Sequence, residues 1–144
     1  MSILTPSKIA AALIPAAMLF ATPALAADSI HGNWITQDRD AVVKISKCGA
    51  TVCGRIHKYL VTPPNGVGQK DINNPDKKLR NRTLLGTAIL TGFTPDGDIW
   101  RGKVYDPKTG KTYRSEVSLN SANSLKMKGC VAFLCQGQNW TRAK

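Results

Sequence analysis

The amino-acid sequence predicts an all-β protein whose single domain is an antiparallel up-and-down β-barrel of about eight strands. Three observations predict this fold. Apolar and polar residues alternate with a period of two along most of the chain, helical periodicity is nearly absent, and turn-forming residues separate the alternating runs at short intervals. Such alternation is typical of half-buried antiparallel strands. Eight short strands can close into a barrel, which leaves no free edge.

The first 26 residues have the pattern of a secretory signal peptide. Lys8 is followed by an apolar run from Ile9 to Phe20 and then by Ala24-Leu25-Ala26. A basic start, a short apolar stretch and an A-x-A sequence are the parts of such a peptide. We therefore expect cleavage after Ala26, export, and one domain over residues 27–144. No later stretch is long and apolar enough to predict a transmembrane helix.

The predicted strands follow from the alternation and from the turns between the runs. Residues 99–106 place Trp100 and Val104 on one face and Arg101 and Lys103 on the other. Pro fixes φ and Gly permits positive φ, so both mark turns. The clearest turn signals are Thr94–Asp98, Asp106–Gly110 and Asn120–Asn123. The eight predicted strands lie near residues 32–37, 41–47, 52–61, 84–93, 99–106, 112–119, 124–130 and 134–142.

The segment Thr62–Thr83 interrupts this series, since it is long, polar and contains Pro and Gly. Long connections of this kind are uncommon in compact domains and are often functional. A short helix is predicted over Pro75–Leu79, with Asn74 as N-cap and Pro75 at its first position. Asp71 and its Asn and Asp neighbours resemble the start of a calcium loop, but Pro75 occupies a ligand position. We interpret these side chains as caps and predict no metal site.

The densest basic cluster lies in the same segment and consists of Lys77, Lys78, Arg80 and Arg82. An Arg guanidinium can bind a carboxylate or a phosphate through two parallel hydrogen bonds. Three interpretations stay open: an anion-binding site, a solvated face, and a pair of Arg80 with Asp71 or Asp76 that holds the loop. Aromatic side chains on several strands can line a cavity. The candidate ligand-binding residues are Asp71, Asn74, Arg80, Arg82, Tyr105 and Tyr113.

The four cysteines are expected to pair, because export implies an oxidising compartment. Four cysteines allow three connectivities, which the sequence alone does not separate. We favour Cys48–Cys53 and Cys130–Cys135, since each pair brackets a turn between two strand-like runs. Facing positions beside a hairpin turn can meet disulfide geometry. A four-cysteine zinc site is the alternative, but C-x4-C is looser than the usual zinc knuckle.

The sequence does not indicate a catalytic centre or a bound cofactor. The two histidines, His31 and His57, cannot complete a zinc site without suitably placed carboxylates. The nucleophile turn G-x-S-x-G is absent. We therefore expect a protein without catalytic activity, metal or cofactor, in which both histidines are surface or barrel-lining residues.

Five motifs in combination point to a family. They are G-x-W (Gly32–Trp34), D-x-x-N-P-D-x-x-L-R-x-R (Asp71–Arg82), G-x-x-I-L-x-G-F (Gly86–Phe93), Y-D-P-x-T-G-K-x-Y (Tyr105–Tyr113) and W-T-R (Trp140–Arg142). The set resembles the domain-of-unknown-function family 2147, which consists of small exported bacterial proteins. The resemblance implies a lipocalin- or calycin-like barrel in the periplasm or secreted medium, but no common activity. The local cysteine pairs resemble a variant found in part of the family.

The resemblance to the lipocalins also implies a structural role for the two ends of the domain. Calycins resemble one another in a G-x-W on the first strand whose Trp is covered by an Arg from the last strand. Gly32, Trp34 and Arg142 match this arrangement. Trp34 would close one end of the barrel, and the guanidinium over its ring would contribute roughly 0.5–2 kcal/mol.

Two functions stay open at this level. One is an exported barrel that holds a small apolar or amphipathic ligand, by analogy with the fold. The other is a basic protein whose barrel is filled by its own side chains and whose surface binds anionic components of the cell envelope. The net charge of +11 favours anionic partners. Nucleic acid is not the expected partner of an exported protein.

Overall fold

The computed structural model describes residues 29–144, and the predicted signal peptide lies outside them. The strands are β1 Gly32–Ile35, β2 Ala41–Cys48, β3 Thr51–Tyr59, β4 Ala88–Asp96, β5 Ile99–Asp106, β6 Lys111–Ser121, β7 Ser124–Val131 and β8 Leu134–Arg142. Each strand pairs with the next, and β8 pairs back with β1 to close the barrel. All eight pairings are antiparallel. The predicted fold class is confirmed.

The strand order gives the barrel two different ends. The N-terminal segment and the turns after β2, β4 and β6 lie at one end, which we call the closed end. The connections after β1, β3, β5 and β7 lie at the other, which we call the open end. The longest of them, the β3–β4 connection (residues 60–87), is therefore at the open end.

The closed end is filled by a core around Trp34. This side chain is fully buried, and its indole nitrogen donates to the carbonyl of Ile30, which is buried as well. The Arg142 guanidinium lies over the ring, with Cζ 4.2 Å from the ring centroid. Arg142 also donates to the backbone carbonyls of Ser29, His31 and Ala122. One Arg thus joins the first residues of the domain to the β6–β7 turn.

Gly32 belongs to the same arrangement for a steric reason. Its φ is +128°, and a Cβ at this position would lie 2.7 Å from Nη1 of Arg142. A larger residue would displace the guanidinium from Trp34. The Gly of the G-x-W motif therefore makes room for the Arg that covers its Trp.

The predicted fourth strand, residues 84–93, is wrong at both ends. Residues 84–87 form a turn instead, in which the Thr87 amide donates to the Leu84 carbonyl and Gly86 has φ +84°. At the other end, Pro95 and Asp96 pair with β5, and only Gly97 and Asp98 form the turn. A bulge between Thr91 and Thr94, with Gly92 at φ +65°, lets β4 continue.

The predicted helix is shorter than expected and has a different cap. A single 3-10 turn covers Lys77–Leu79, and Asp76 rather than Asn74 is its N-cap. The Asp76 carboxylate accepts from the Lys78 amide at 2.9 Å. Asn74 caps the preceding turn instead, because its side-chain oxygen accepts from the Asp76 amide.

The cysteines form the two local pairs. Cys48 and Cys53 bracket the β2–β3 turn at the closed end, with Cα atoms 5.5 Å apart. Cys130 and Cys135 bracket the β7–β8 turn at the open end, with Cα atoms 4.0 Å apart. Two disulfides are typical of proteins that work outside the cytoplasm. Among residues 29–144, no helix has the length and apolar character needed to cross a membrane.

Candidate functional site

A cavity of about 740 Å³ occupies the half of the barrel next to the open end. Its apolar wall is formed by Ile89, Val104, Met127 and Trp140. Known small-molecule sites span roughly 300–1,000 Å³. The cavity is therefore large enough for a compact organic molecule, whereas the closed half of the barrel is filled by its own side chains.

The exposure of β8 shows how the cavity arises. Leu134 to Asn139 are all exposed, although alternate residues of this strand point into the barrel. Gln136 and Gln138 share a strand face with Trp140, which is buried. Since both faces of this part of β8 are accessible, no side chain fills the barrel beside it.

Polar groups occur both on the walls of the cavity and along its mouth. Gln136, Gln138 and Tyr113 offer amides and a phenol on the walls. The Gln138 side-chain oxygen accepts from the Trp140 indole nitrogen at 3.0 Å, so its amide nitrogen faces away from that bond. The charged side chains along the mouth are Asp38, Asp40, Asp106 and Lys108. Three carboxylates against one amine give the mouth an acidic character within a basic protein.

A second polar centre lies in the β3–β4 connection, around the fully buried carboxylate of Asp71. Oδ1 accepts from the Tyr105 hydroxyl at 2.5 Å. Oδ2 accepts from the Asn74 amide at 2.8 Å and from the Arg82 guanidinium at 2.8 and 3.0 Å. These bonds fasten the long connection to the outer face of β5.

The same connection is also fastened to the β5–β6 turn. The side-chain amide of Asn73 donates to the carbonyls of Pro107 and Lys108 at 3.1 and 3.0 Å. Gly110, with φ +71°, packs so tightly that a Cβ would lie 1.9 Å from the Asn73 carbonyl oxygen. The Asp71–Arg82 motif and the Tyr105–Tyr113 motif are therefore two halves of one contact.

This arrangement changes the acidity of both partners. Burial alone would raise the pKa of Asp71, but hydrogen bonds from Tyr105, Asn74 and Arg82 outweigh it and lower the pKa. Burial and the hydrogen bond to the Asp71 carboxylate raise the pKa of Tyr105 to about 12. At neutral pH Asp71 is therefore ionised and Tyr105 is protonated, and these are the forms that hydrogen-bond each other. We call the cluster of Asp71, Asn74, Arg82 and Tyr105 the anchor, because it has a structural role.

The anchor predicts a late step in the alkaline titration of the protein. The folded pKa of Tyr105 is about 12, above its ordinary value of 10.0. Its contribution to stability is therefore complete below pH 10 and is lost as the pH rises towards 12. The near-ultraviolet absorbance of tyrosinate measures this ionisation, and the difference between wild type and Tyr105→Phe isolates Tyr105. A difference curve with its midpoint near 10 would contradict the buried bond to Asp71.

The candidate ligand-binding residues fall into two groups. Tyr113 shares the inner face with Val104 and lines the cavity, whereas Tyr105 borders the cavity from β5 and donates its hydroxyl to Asp71. The four residues of the β3–β4 connection do not line it. Asp71 and Asn74 are buried in the anchor, Arg82 pairs with Asp71, and Arg80 donates to the Asn74 carbonyl at 2.7 Å. Of the three interpretations of the basic cluster, an ion pair that holds the loop is present, but Arg82 forms it with Asp71 and Arg80 does not take part.

The histidines lie apart from the cavity. His57 is exposed on the outer face, where it borders a depression of about 250 Å³ together with Lys44 and Arg55. His31 lies near the closed end, with its ring centroid 6.5 Å from that of Trp100. Within residues 29–144, no group of three His, Cys, Asp or Glu side chains converges as metal ligands.

The sequence analysis did not predict that Gln136 and Gln138 line the cavity, because polar residues are not expected inside a barrel. Gln136 and Gln138 resemble solvent-facing positions of a strand. The alternation nevertheless indicates their position, since Gln136 and Gln138 lie four and two residues before Trp140 and so share its face of the strand. The acidic mouth was missed because Asp38, in the β1–β2 turn, and Asp106, at the end of β5, are far apart in sequence.

The chain shares its family and its fold with known proteins. A family described as "Uncharacterized protein conserved in bacteria (DUF2147)" matches residues 32–142. No curated protein sequence matches the chain. The chain is similar to a solved structure described as protein HP1028 from the human pathogen Helicobacter pylori, which belongs to the lipocalin family. The two are 22% identical, with a TM-score of 0.70, over 81% of this chain and 84% of that chain. At this identity, the likeness concerns the fold.

Proposed function

We propose that this chain, which belongs to the DUF2147 family of bacterial proteins, is an exported carrier that holds a small apolar or amphipathic molecule in its barrel. The observation that carries the proposal is the cavity of about 740 Å³. It favours a hollow barrel over one filled by side chains. The lipocalin-like fold supports the same class of function by analogy.

The lining of the cavity suggests how the ligand is oriented. Its apolar part lies against Val104, Met127 and Trp140, where burial of apolar surface contributes roughly 25 cal/mol per Å². Its polar end meets the amide of Gln136 and the carboxylates at the mouth. Because those carboxylates repel negative charge, the polar end is neutral or cationic.

The proposal assigns no chemical step to the protein. The strongest ionisable cluster, around Asp71, is closed by its own hydrogen bonds. The two disulfides fit a protein of the periplasm or of the secreted medium.

Filling the cavity tests the proposal. The probe is N-phenyl-1-naphthylamine, an apolar dye whose fluorescence rises in an apolar site. A Cβ on Gly129 would contact Val104 at an ordinary 3.6 Å, so Gly129→Leu points its side chain into the cavity without a backbone clash. We expect saturable binding of the dye to the wild type and a loss of affinity of about tenfold or more in Gly129→Leu.

A matched control separates the cavity from a general increase in apolar surface. Gly68 lies in the β3–β4 connection, and a Cβ there meets nothing within 4 Å. Gly68→Leu adds the same side chain outside the cavity and is expected to bind the dye like the wild type. Equal affinities in all three proteins would place the dye outside the barrel and refute the proposal.

A further inference from the structure

The exposed apolar side chains are concentrated at the open end of the barrel. Among residues 29–144, the large apolar residues that are more than half exposed are Val61, Val67, Ile72, Val131, Phe133 and Leu134. All six lie in the β3–β4 connection or at the β7–β8 turn. The closed-end turns Gly49–Ala50, Gly97–Asp98 and Ala122–Asn123 contain only small or polar residues.

The β7–β8 turn presents its apolar side chains on a firm support. Phe133 is 90% exposed at the tip of the hairpin. The Cys130–Cys135 disulfide lies directly beneath it, and Arg114 donates from Nη2 to the Ala132 carbonyl. Because the disulfide and this hydrogen bond already fix the backbone of the turn, little conformational entropy is lost when the Phe133 ring enters an apolar environment.

The two apolar segments flank the mouth of the cavity. Two strands separate the β3–β4 pair from the β7–β8 pair in each direction around the barrel, β5 and β6 on one side and β1 and β2 on the other, so the segments lie on opposite sides of its rim. A planar partner can contact both sides at once without entering the mouth. A rounded protein surface that contacted one side would face the open cavity and leave the other side without contact.

Basic side chains accompany the apolar ones in the β3–β4 connection, on one side of the rim, whereas the mouth between the two sides carries the carboxylates of Asp38, Asp40 and Asp106. Between residues 60 and 87 there are five Lys and Arg against two Asp. Arg82 is paired with Asp71, whereas Lys70, Lys77 and Lys78 are exposed near Val67 and Ile72 in the chain. Apolar tips next to exposed lysines are typical of surfaces that bind anionic lipid headgroups.

We propose that the open end of the barrel docks on an anionic phospholipid bilayer, with Phe133 on one side of the rim and Val67 and Ile72 on the other entering the interface. This inference goes beyond the ligand-binding function proposed above and does not depend on it. Docking in this orientation turns the mouth of the cavity towards the lipid.

Sedimentation with lipid vesicles tests the proposal. The protein is purified after export by a bacterial host, and its mass is checked so that all variants have the same N-terminus. Vesicles of phosphatidylglycerol and phosphatidylethanolamine are compared with vesicles of phosphatidylcholine. We expect preferential binding to the anionic vesicles, weakened by added salt, and a partition coefficient about tenfold or more lower in Phe133→Asp.

The matched control is Ala50→Asp, which makes the same change in charge at an exposed position of the closed end. We expect it to change binding less than about twofold, because the closed end faces away from the lipid and its charge is screened. Val67→Asp is a second rim variant and is expected to lose binding like Phe133→Asp. Near-ultraviolet circular dichroism verifies that each variant is folded.

Three results would overturn the proposal. The first is that the wild type binds neither kind of vesicle. The second is that Phe133→Asp and Val67→Asp bind as strongly as the wild type. The third is that Phe133→Asp and Ala50→Asp lose the same amount of binding. The last would assign the binding to net charge. Dye binding by the same samples is measured separately, so failure of docking and failure of the ligand-binding function are distinguishable.

Discussion

Replacement of Asp71 by Ala is expected to destabilise the protein by about 3–5 kcal/mol, because it removes the acceptor of a buried, charged hydrogen-bond centre. The carboxylate is fully buried and binds Tyr105, Asn74 and Arg82. Without it, a phenol, an amide and a guanidinium lose their shared partner inside the domain. Urea denaturation of the disulfide-intact protein measures the change.

Asp98→Ala is the matched control for this change. Asp98 is exposed in the β4–β5 turn, so its loss is expected to alter the free energy of unfolding by less than about 0.5 kcal/mol. The pH dependence provides a second check. Because the folded pKa of Asp71 is lowered, its contribution is complete above pH of about 4 and is lost as the pH falls through the folded pKa. A deficit in Asp71→Ala no larger than in Asp98→Ala would contradict the anchor.

Replacement of Trp34 by Ala is expected to cost about 3–5 kcal/mol, the usual range for a buried Trp. The ring is fully buried, its nitrogen donates to Ile30, and Arg142 covers its face. The loss therefore combines a cavity in the core with a cation that no longer has its aromatic partner. The measurement is again urea denaturation.

Phe133→Ala removes an aromatic side chain of similar size from an exposed position. Phe133 is 90% exposed, so we expect a change below about 0.5 kcal/mol. Comparable losses in Trp34→Ala and Phe133→Ala would mean that the closed end is not a packed core.

The strands could be predicted because apolar and polar residues alternate wherever one face of a strand is buried and the other is exposed. β5 and β7 therefore appear almost as the sequence predicts. The error at β4 has a local cause, since Gly86 and Gly92 adopt positive φ and shift the start and continuation of the strand. The alternation of apolar and polar residues does not indicate which glycine adopts positive φ, so it does not predict these bounds.

The candidate site was harder to predict because it depends on which faces meet. The Asp71 anchor joins residues 34 positions apart through the Tyr105 hydroxyl, and the sequence pattern of caps and basic residues does not reveal that contact. The cavity depends on the absence of filling side chains. Gln136 and Gln138 resemble surface residues in sequence, although they face the barrel interior.

The central claim is that the barrel holds an apolar molecule between its walls near the open end. The most direct test is a crystal structure of the protein soaked with 1-bromonaphthalene, in which anomalous scattering locates the bromine. We predict a peak inside the barrel, between Val104, Met127 and Trp140. Peaks confined to the outer surface, beside Phe133 or Val67, would contradict the account.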